Sequence, residues 1–237
     1  MAEAGASVVV HYSSDQVGAE RTVDEITSRG GTAIAVRANL AQPAEIKPLF
    51  EATRAKFGKL DLLVNNAGVY EFAPVGEITP DHFRKLFDVN VLGLLLATQE
   101  AVALFPPTGG NIVNVSSVAA VSPLAGGSVY SASKAAVDAI TKAHAKELGP
   151  RNIRVNAVNP GMVSTEGSDA QGPHPLLPGD LGGPDGLRRP ARPRQLARRP
   201  ARRAACLGPG DRRRAVRIPL AGAVLDLGHA LLGGLGQ

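Results

Sequence analysis

Short apolar strands and helix-forming segments alternate along the first 160 or so residues, and this alternation constrains the fold more than any other feature. Residues 7–12 are rich in valine and uninterrupted by charge, which is typical of a strand buried on both faces. Parallel strands need crossover connections, usually helices, that cover both faces of the sheet. We therefore predict an α/β fold with a doubly wound parallel sheet over residues 1–165. The strands are expected at 7–12, 32–37, 60–64, 111–115 and 153–158, and the helices at 17–29, 46–57, 81–104 and 129–149.

Small or polar residues follow each of the five predicted strands. In an open parallel sheet, ligands bind at the carboxyl ends of the strands. The sequence therefore predicts one convergent site at that edge. The residues are Tyr12-Ser13-Ser14, Asn39-Leu40, Asn65 to Gly68, Ser116-Ser117 and Pro160-Gly161.

Tyr130 and Lys134 are four residues apart within a predicted helix, which places the phenol and the ammonium on the same helix face. A free tyrosine has a pKa of about 10, and a nearby ammonium is expected to lower it. The Ser117 hydroxyl could hold a substrate oxygen nearby. This set indicates proton transfer to an oxygen, coupled to movement of a hydride. The alternative is a chance pair, a half-exposed aromatic ring beside a solvated charge.

Five short motifs occur in an order and at distances that resemble the short-chain dehydrogenases/reductases. The resemblance runs from about Ala4 to Thr165 and is nearest to the branch of 3-oxoacyl-[acyl-carrier-protein] reductases and glucose dehydrogenases. It implies a Rossmann-type fold and hydride transfer between a nicotinamide cofactor and a carbonyl or secondary alcohol. The motifs are Asn65-Asn-Ala-Gly68, Asn90-Val-Leu-Gly, Asn114-Val-Ser-Ser117, Tyr130-Ser-Ala-Ser-Lys134 and Asn159-Pro-Gly-Met-Val-Ser-Thr165.

The resemblance also implies a role for each matching position. Tyr130 would be the general acid or base, and Lys134 would lower its pKa and bind the nicotinamide ribose. Ser117, rather than Ser116, would polarise the substrate oxygen, and Asn90 would anchor a water of a proton relay. The implied cofactor-binding residues are Tyr12, Ser13, Ser14, Asn39, Leu40, Asn65, Ala67, Gly68, Tyr130, Lys134, Pro160, Gly161 and Thr165.

The choice of cofactor depends on the end of the first predicted strand. A carboxylate there would bind the ribose 2′-hydroxyl of NAD. The chain instead has His11-Tyr12-Ser13-Ser14, with Asp15 one residue later. Hydroxyl groups tolerate a 2′-phosphate, so we expect NADP, with NAD as the alternative, although the sequence places no arginine beside these serines.

Two departures from the family are serious, and the first weighs against cofactor binding. Residues 1–5 resemble the end of the family's first helix, so we expect the first strand and its glycine-rich pyrophosphate loop to be absent. A mis-assigned start or a fragment would explain this. Such a chain is expected to hold a dinucleotide weakly or not at all, and the alternative function is therefore a catalytically inactive remnant.

Residues 166–237 have a different composition, with 12 arginines, no lysine, no aromatic residue and 22 Gly+Pro in 72 positions. We expect this segment to be disordered or an out-of-frame translation of GC-rich DNA. A nucleic-acid-binding arm is a weaker alternative, because no aromatic residues are interleaved with the arginines.

The remaining features concern location and partners. No apolar run reaches the 18 residues that a membrane span needs, and the five histidines lack metal-ligand spacing. A single cysteine, Cys206, suits a reducing cytoplasm. The resemblance further suggests a homodimer or homotetramer acting on a small carbonyl or alcohol compound.

Overall fold

The computed structural model describes residues 1–161 and the backbone of two further strands, and the helices and strands alternate as predicted. Segment 166–237 otherwise lies outside the described residues, as does Thr165. The strands are β1 (Val8–Tyr12), β2 (Ala33–Arg37), β3 (Leu62–Asn65), β4 (Gly110–Val115), β5 (Ile153–Val158), β6 (Arg217–Leu220) and β7 (Ala223–Asp226). The helices are α1 (Gln16–Ser28), α2 (Pro43–Phe57), α3 (Pro80–Phe87), α4 (Leu94–Leu104) and α5 (Ser128–Leu148).

The first five strands form two parallel sheets that share one core. One sheet pairs β1 with β2, and the other has the order β3-β4-β5, whereas β6 and β7 pair antiparallel. Val9 of β1 and Leu63 of β3 pack against the same buried cluster, which includes Ile46 of α2 and Ala101 of α4. The α/β prediction is confirmed, and the break between β1 and β3 is where a sheet without its central strand would divide.

Local residues explain where the helices begin and end. The Asp15 carboxylate accepts a hydrogen bond from the Gly18 N–H at 2.9 Å and caps α1. The Thr79 hydroxyl caps α3 in the same way, accepting from the His82 N–H at 3.1 Å. Helix α2 ends at Gly58, whose φ of 75° is the left-handed conformation that glycine adopts without strain.

The helix predicted over 81–104 is interrupted by a π-helical turn, Asp88–Gly93, between α3 and α4. Gly93 lies so close to the Leu40 carbonyl that a Cβ atom there would be 2.8 Å from its oxygen. The Asn90 side chain hydrogen-bonds both the N–H and the carbonyl of Val69 at 2.8 Å. These contacts come from distant segments, which explains why local periodicity does not predict the irregular turn.

The continuous helical stretch Pro80–Leu104 is long and apolar enough to cross a membrane by length and composition alone. Leu86, Leu94, Ala97 and Ala101 on this stretch are nevertheless buried in the described fold. Its apolar character is therefore explained by packing against the sheets, as in a core helix.

A buried polar network ties β3, β4, α4 and α5 together. The Asn65 amide donates to the side chains of Asn114 at 2.9 Å and Thr98 at 3.1 Å. The Asn114 amide in turn donates to the Thr141 hydroxyl at 2.8 Å, and that hydroxyl donates to the Val137 carbonyl. Because Asn114 is fully buried, each of these bonds satisfies a group that water cannot reach.

Replacing Asn114 with alanine should lower the free energy of unfolding by about 2–4 kcal/mol, because both partners lose a buried hydrogen bond and a cavity remains. Asn111→Ala is the matched control on the same strand, since the Asn111 side chain is only half-buried and makes no hydrogen bond within the described part of the chain. That control should change stability by about 0.5 kcal/mol or less. Urea unfolding measures both variants, and equal losses would contradict a structural role for the network.

Candidate active site

The phenol of Tyr130 and the hydroxyl of Ser117 meet at the carboxyl end of β4. Tyr130 lies in the first turn of α5, and Ser117 follows β4 and begins a short 3₁₀ turn, Val118–Ala120. The Ser117 side chain lies close enough to the Tyr130 phenol to favour the phenolate by hydrogen bonding. The Ser117 oxygen also accepts from the Ala119 N–H at 3.1 Å, which fixes the orientation of the serine side chain.

Ser116 and Lys134 form a second connection between β4 and α5. The buried Ser116 hydroxyl donates to the Lys134 carbonyl at 3.0 Å, and the Lys134 ammonium donates to the Val115 carbonyl at 2.9 Å. Ser116 therefore holds the helix, whereas the half-buried Ser117 faces Tyr130. The ammonium lies 5.9 Å from the centre of the Tyr130 ring.

The pKa of Lys134 is lowered to about 8, because burial removes water from the ammonium; the negative charge of Asp138 partly opposes this effect. Lys134 is therefore mostly charged at neutral pH, and it loses its proton more readily than an ordinary lysine.

Tyr130 departs from the expectation that its pKa would be lowered by Lys134. Burial raises the pKa of the phenol, and the hydrogen bond from Ser117 opposes this effect only in part. The nearby Tyr70 raises the pKa of Tyr130 further. The expectation is wrong for this structure because loss of water around the ring outweighs the favourable interactions with the phenolate. Tyr130 is thus a protonated phenol at neutral pH.

Asn90 is buried in the π-helical turn, and both of its amide hydrogens are in use. They are donated to the Val69 carbonyl at 2.8 Å and to the Ser133 hydroxyl at 3.0 Å. Asn90 therefore joins the segment after β3 to helix α5, one residue before Lys134. These contacts give Asn90 a structural role, while its role in holding a water stays a prediction.

Asn159 and Asp138 form a link that the sequence analysis missed. The Asn159 amide donates to both Asp138 carboxylate oxygens, at 3.0 and 3.1 Å, and lies 3.2 Å from the Ser117 carbonyl, to which it also donates. This contact ties the end of β5 to α5 and to the backbone of Ser117. Its only signal in the sequence is that Asp138 lies one helical turn after Lys134.

A guanidinium lies beside the two serines that follow β1. The parallel register pairs Tyr12 with Arg37, and the Arg37 Nε donates to the Ser13 carbonyl at 3.2 Å. The sequence analysis, which found no arginine in place here, was wrong because Arg37 comes from the next strand. Pairing the last residues of β1 and β2 would have identified it.

The other predicted cofactor residues divide into those at the edge of the site and those directed elsewhere. Ala67 and Gly68 are exposed, and a Cβ atom on Gly68 would lie 3.2 Å from the Lys134 ammonium. The Asn65 side chain instead points into the buried polar network, where its amide donates to Thr98 and Asn114. Ser14 and Gly161 are exposed, and Leu40 is half-buried. The Asn39 side chain accepts a hydrogen bond from the Ala41 N–H, and the Pro160 carbonyl accepts one from the Val118 N–H.

The donor set matches two ends of a nicotinamide dinucleotide. Ser13, Ser14 and Arg37 supply hydroxyl and guanidinium donors of the kind that bind phosphate. Lys134 supplies a donor near Gly68, whose missing side chain leaves room beside the ammonium, and Tyr130 supplies a hydroxyl from the preceding turn of α5. Within residues 1–161, however, no glycine-rich turn between a strand and a helix is available for the pyrophosphate.

Comparison with known proteins identifies relatives over the described region. The family model for short chain dehydrogenases matches residues 1–175. An uncharacterized oxidoreductase of Methylorubrum extorquens is 50% identical over 172 residues, which cover 73% of this chain and 69% of that protein. A 3-oxoacyl-[acyl-carrier-protein] reductase of Synechocystis is 37% identical over 178 residues, which cover 75% of this chain and 72% of that protein.

Solved structures give the same answer. A short chain dehydrogenase from Burkholderia cenocepacia, in complex with NADP, superposes with a TM-score of 0.67 at 36% identity and covers 72% of each chain. Acetoin dehydrogenase from Enterobacter cloacae superposes equally well at 38% identity, with 73% of this chain and 69% of that one covered. The chain therefore belongs to the short-chain dehydrogenase family of oxidoreductases.

Proposed function

We propose that the protein is an NADP-dependent oxidoreductase that acts on a carbonyl compound or secondary alcohol. The observation that carries this proposal is the placement of Ser117, at the end of β4, and Tyr130, in the first turn of α5, with the buried Lys134 ammonium 5.9 Å from the Tyr130 ring. The bound nicotinamide supplies or accepts the hydride. A 3-oxoacyl compound, as named for the Synechocystis relative, is one candidate substrate.

In the direction of reduction, the substrate oxygen accepts hydrogen bonds from the Ser117 and Tyr130 hydroxyls. Tyr130 then transfers its proton to that oxygen as the neighbouring carbon receives the hydride. The raised pKa of Tyr130 keeps the phenol protonated at neutral pH, which favours its use as an acid. Reduction is therefore the direction that this site supports best near neutrality.

Lys134 acts on the cofactor through its N–H groups and its charge. One of its three N–H groups is donated to the Val115 carbonyl. The other two are available to ribose hydroxyls placed beside Gly68. Because the pKa of Lys134 is about 8, this charge is present at neutral pH and lost in mildly alkaline solution.

The preference for NADP rests on Arg37, Ser13 and Ser14. A 2′-phosphate placed at the ends of β1 and β2 would pair with the guanidinium, whose Nη groups have no partner within the described residues. The complexes of two family members with NADP or NADPH support the same choice.

The second candidate is an inactive remnant of the family. The observation that favours it is the division into two sheets, with no pyrophosphate cradle within residues 1–161. Both candidates have the same site geometry, and they differ in whether the chain binds the dinucleotide.

We also propose a reducing cytoplasm as the location, on the basis of the single Cys206, and a homodimer or homotetramer by resemblance alone.

NADPH should bind saturably to the purified full chain. Arg37→Gln should lower the affinity for NADPH by about 10- to 100-fold, because the charged hydrogen bond between the guanidinium and the 2′-phosphate is lost. NADH, which lacks the 2′-phosphate, should be unaffected. Fluorescence titration measures the affinity for both cofactors. Calorimetry with 2′,5′-ADP and 5′-AMP isolates the contribution of the 2′-phosphate to binding. Arg54→Gln, an exposed position on α2, is the control. If neither NADPH nor NADH binds saturably, the result would favour the inactive remnant.

Tyr130→Phe should reduce the rate of NADPH-dependent carbonyl reduction by about 10²- to 10⁴-fold, the usual contribution of a general acid. The affinity for NADPH should stay within about twofold, because the phenylalanine keeps the ring and its packing. Steady-state rates and cofactor titration on the same preparation separate the two effects. Retention of more than a tenth of the activity would exclude Tyr130 as the proton donor.

The phenol of Tyr130 should ionise at a higher pH than free tyrosine, above about 10. The chain has three tyrosines and no tryptophan, so absorbance near 295 nm reports tyrosine ionisation cleanly. Subtracting the titration of Tyr130→Phe from that of the unaltered protein isolates this residue. The pKa is expected to rise because burial disfavours the phenolate. A midpoint below 10 would instead indicate that the Lys134 ammonium stabilises the phenolate.

A further inference from the structure

Tyr70 and Phe72, in the segment after β3, form an aromatic surface with Tyr130. The ring centres of Tyr70 and Phe72 lie 6.3 and 6.0 Å from that of Tyr130, with interplanar angles of 68° and 58°. Their own ring centres are 6.2 Å apart at 60°. These edge-to-face spacings bring the rings into direct contact, so no molecule fits between them. The three rings therefore present one continuous surface beside the candidate proton donor.

The backbone of this segment is held at both ends. On one side, Val69 is fixed by the two hydrogen bonds to Asn90. On the other, the Ala73 N–H donates to the Gly126 carbonyl at 2.9 Å. Between them, the carboxylate of Glu71 pairs with Lys85 of α3, which neutralises the one charge in the segment. The aromatic surface is thus preorganised rather than formed on binding.

The segment that carries Ser117 continues as an apolar border. Val118, Val121 and Leu124 are exposed, Val121 to 76% of its surface, and residues 118–127 contain no charge. At its end, a Cβ atom on Gly127 would lie 3.2 Å from the ring of Phe72. The apolar border and the aromatic surface are therefore adjacent, and both adjoin the hydroxyls of Ser117 and Tyr130.

From this arrangement we infer that the substrate is a ketone or alcohol with a flat ring close to the reacting carbon, and that Tyr70 and Phe72 bind that ring. The inference rests on the proposed function of Tyr130. Flat rings gain from edge and face contacts with aromatic side chains, which a saturated ring of similar size does not make equally well. In the described part of the border, no cation is available for the phosphates of an acyl thioester.

The ketones 2-tetralone and 2-decalone test the inference, because they share a fused ten-carbon skeleton and an unconjugated carbonyl. They differ in whether the second ring is aromatic. With NADPH, the unaltered protein should show a kcat/KM about three- to tenfold higher for 2-tetralone. Tyr70→Leu and Phe72→Leu should bring that ratio close to one, chiefly by raising the KM for 2-tetralone.

Phe83→Leu is the matched control, since Phe83 stacks on Phe87 of α3 at 4.1 Å and lies outside the aromatic surface. It should preserve the ratio. Reduction of both ketones with a ratio near one, or a ratio that Tyr70→Leu leaves unchanged, would overturn the inference and leave the proposed function intact. Failure to reduce either ketone or acetoacetyl-CoA would instead count against the proposed function.

Calorimetry with 2-naphthol and decahydro-2-naphthol tests ring binding without turnover. The aromatic alcohol should bind the unaltered protein at least threefold more tightly, and the preference should disappear in Tyr70→Leu. Equal binding of the two alcohols would refute the inference even if the protein has no catalytic activity.

Discussion

The site depends on a reciprocal pair of hydrogen bonds between the end of β4 and helix α5. The Lys134 ammonium donates to the Val115 carbonyl, and the Ser116 hydroxyl donates to the Lys134 carbonyl. Together they fix both the position of the helix along the strand and its rotation. With Ser116 committed to the helix backbone, the next residue, Ser117, is free to meet Tyr130. Neighbouring serines in one motif thus have different tasks.

Burial has opposite consequences for the two ionisable groups of the site. It lowers the pKa of Lys134 and raises that of Tyr130, so each group is driven toward its neutral form. At neutral pH the phenol keeps its proton while the ammonium, supported by Asp138, keeps its charge. This combination suits a proton donor beside a cation. It also means that Lys134 is already losing its charge at a pH where Tyr130 is still protonated, so the lysine cannot stabilise the phenolate in this state.

The sequence predicted those features that follow from local pattern. Strand β5 was placed at its observed bounds, and α5 within one residue at each end, because apolar runs and helical spacing are local signals. The rule that parallel strands end at one edge placed Ser117 at the site, and the family resemblance placed Tyr130 beside it. The direction of the Tyr130 pKa could not be predicted in this way, because it depends on burial of the phenol by residues distant in the sequence.

Contacts between distant segments explain the other differences. The π-helical turn depends on Asn90 reaching Val69, and Asn65 turns inward because Asn114 and Thr98 offer it buried partners. Arg37 was missed because it lies on the neighbouring strand, and its place beside Ser13 follows from the pairing of β1 with β2 rather than from the residues around Ser13. Short motifs identify the residue types that a site needs, and tertiary contacts decide which of them face it.

The division of the sheet separates the groups proposed to recognise the cofactor from those proposed to carry the chemistry. Arg37 and Ser13 lie at the end of the β1–β2 sheet, whereas Tyr130, Lys134 and Ser117 belong to the β3–β5 side. Within the described residues, no strand pairing joins the two sheets, so their relative position depends on the shared core in which Val9 and Leu63 pack. A dinucleotide that contacts both sheets would add the link that strand pairing does not provide. By mass action, such a ligand would stabilise the arrangement of the two sheets by a free energy that rises with the logarithm of its concentration relative to its Kd.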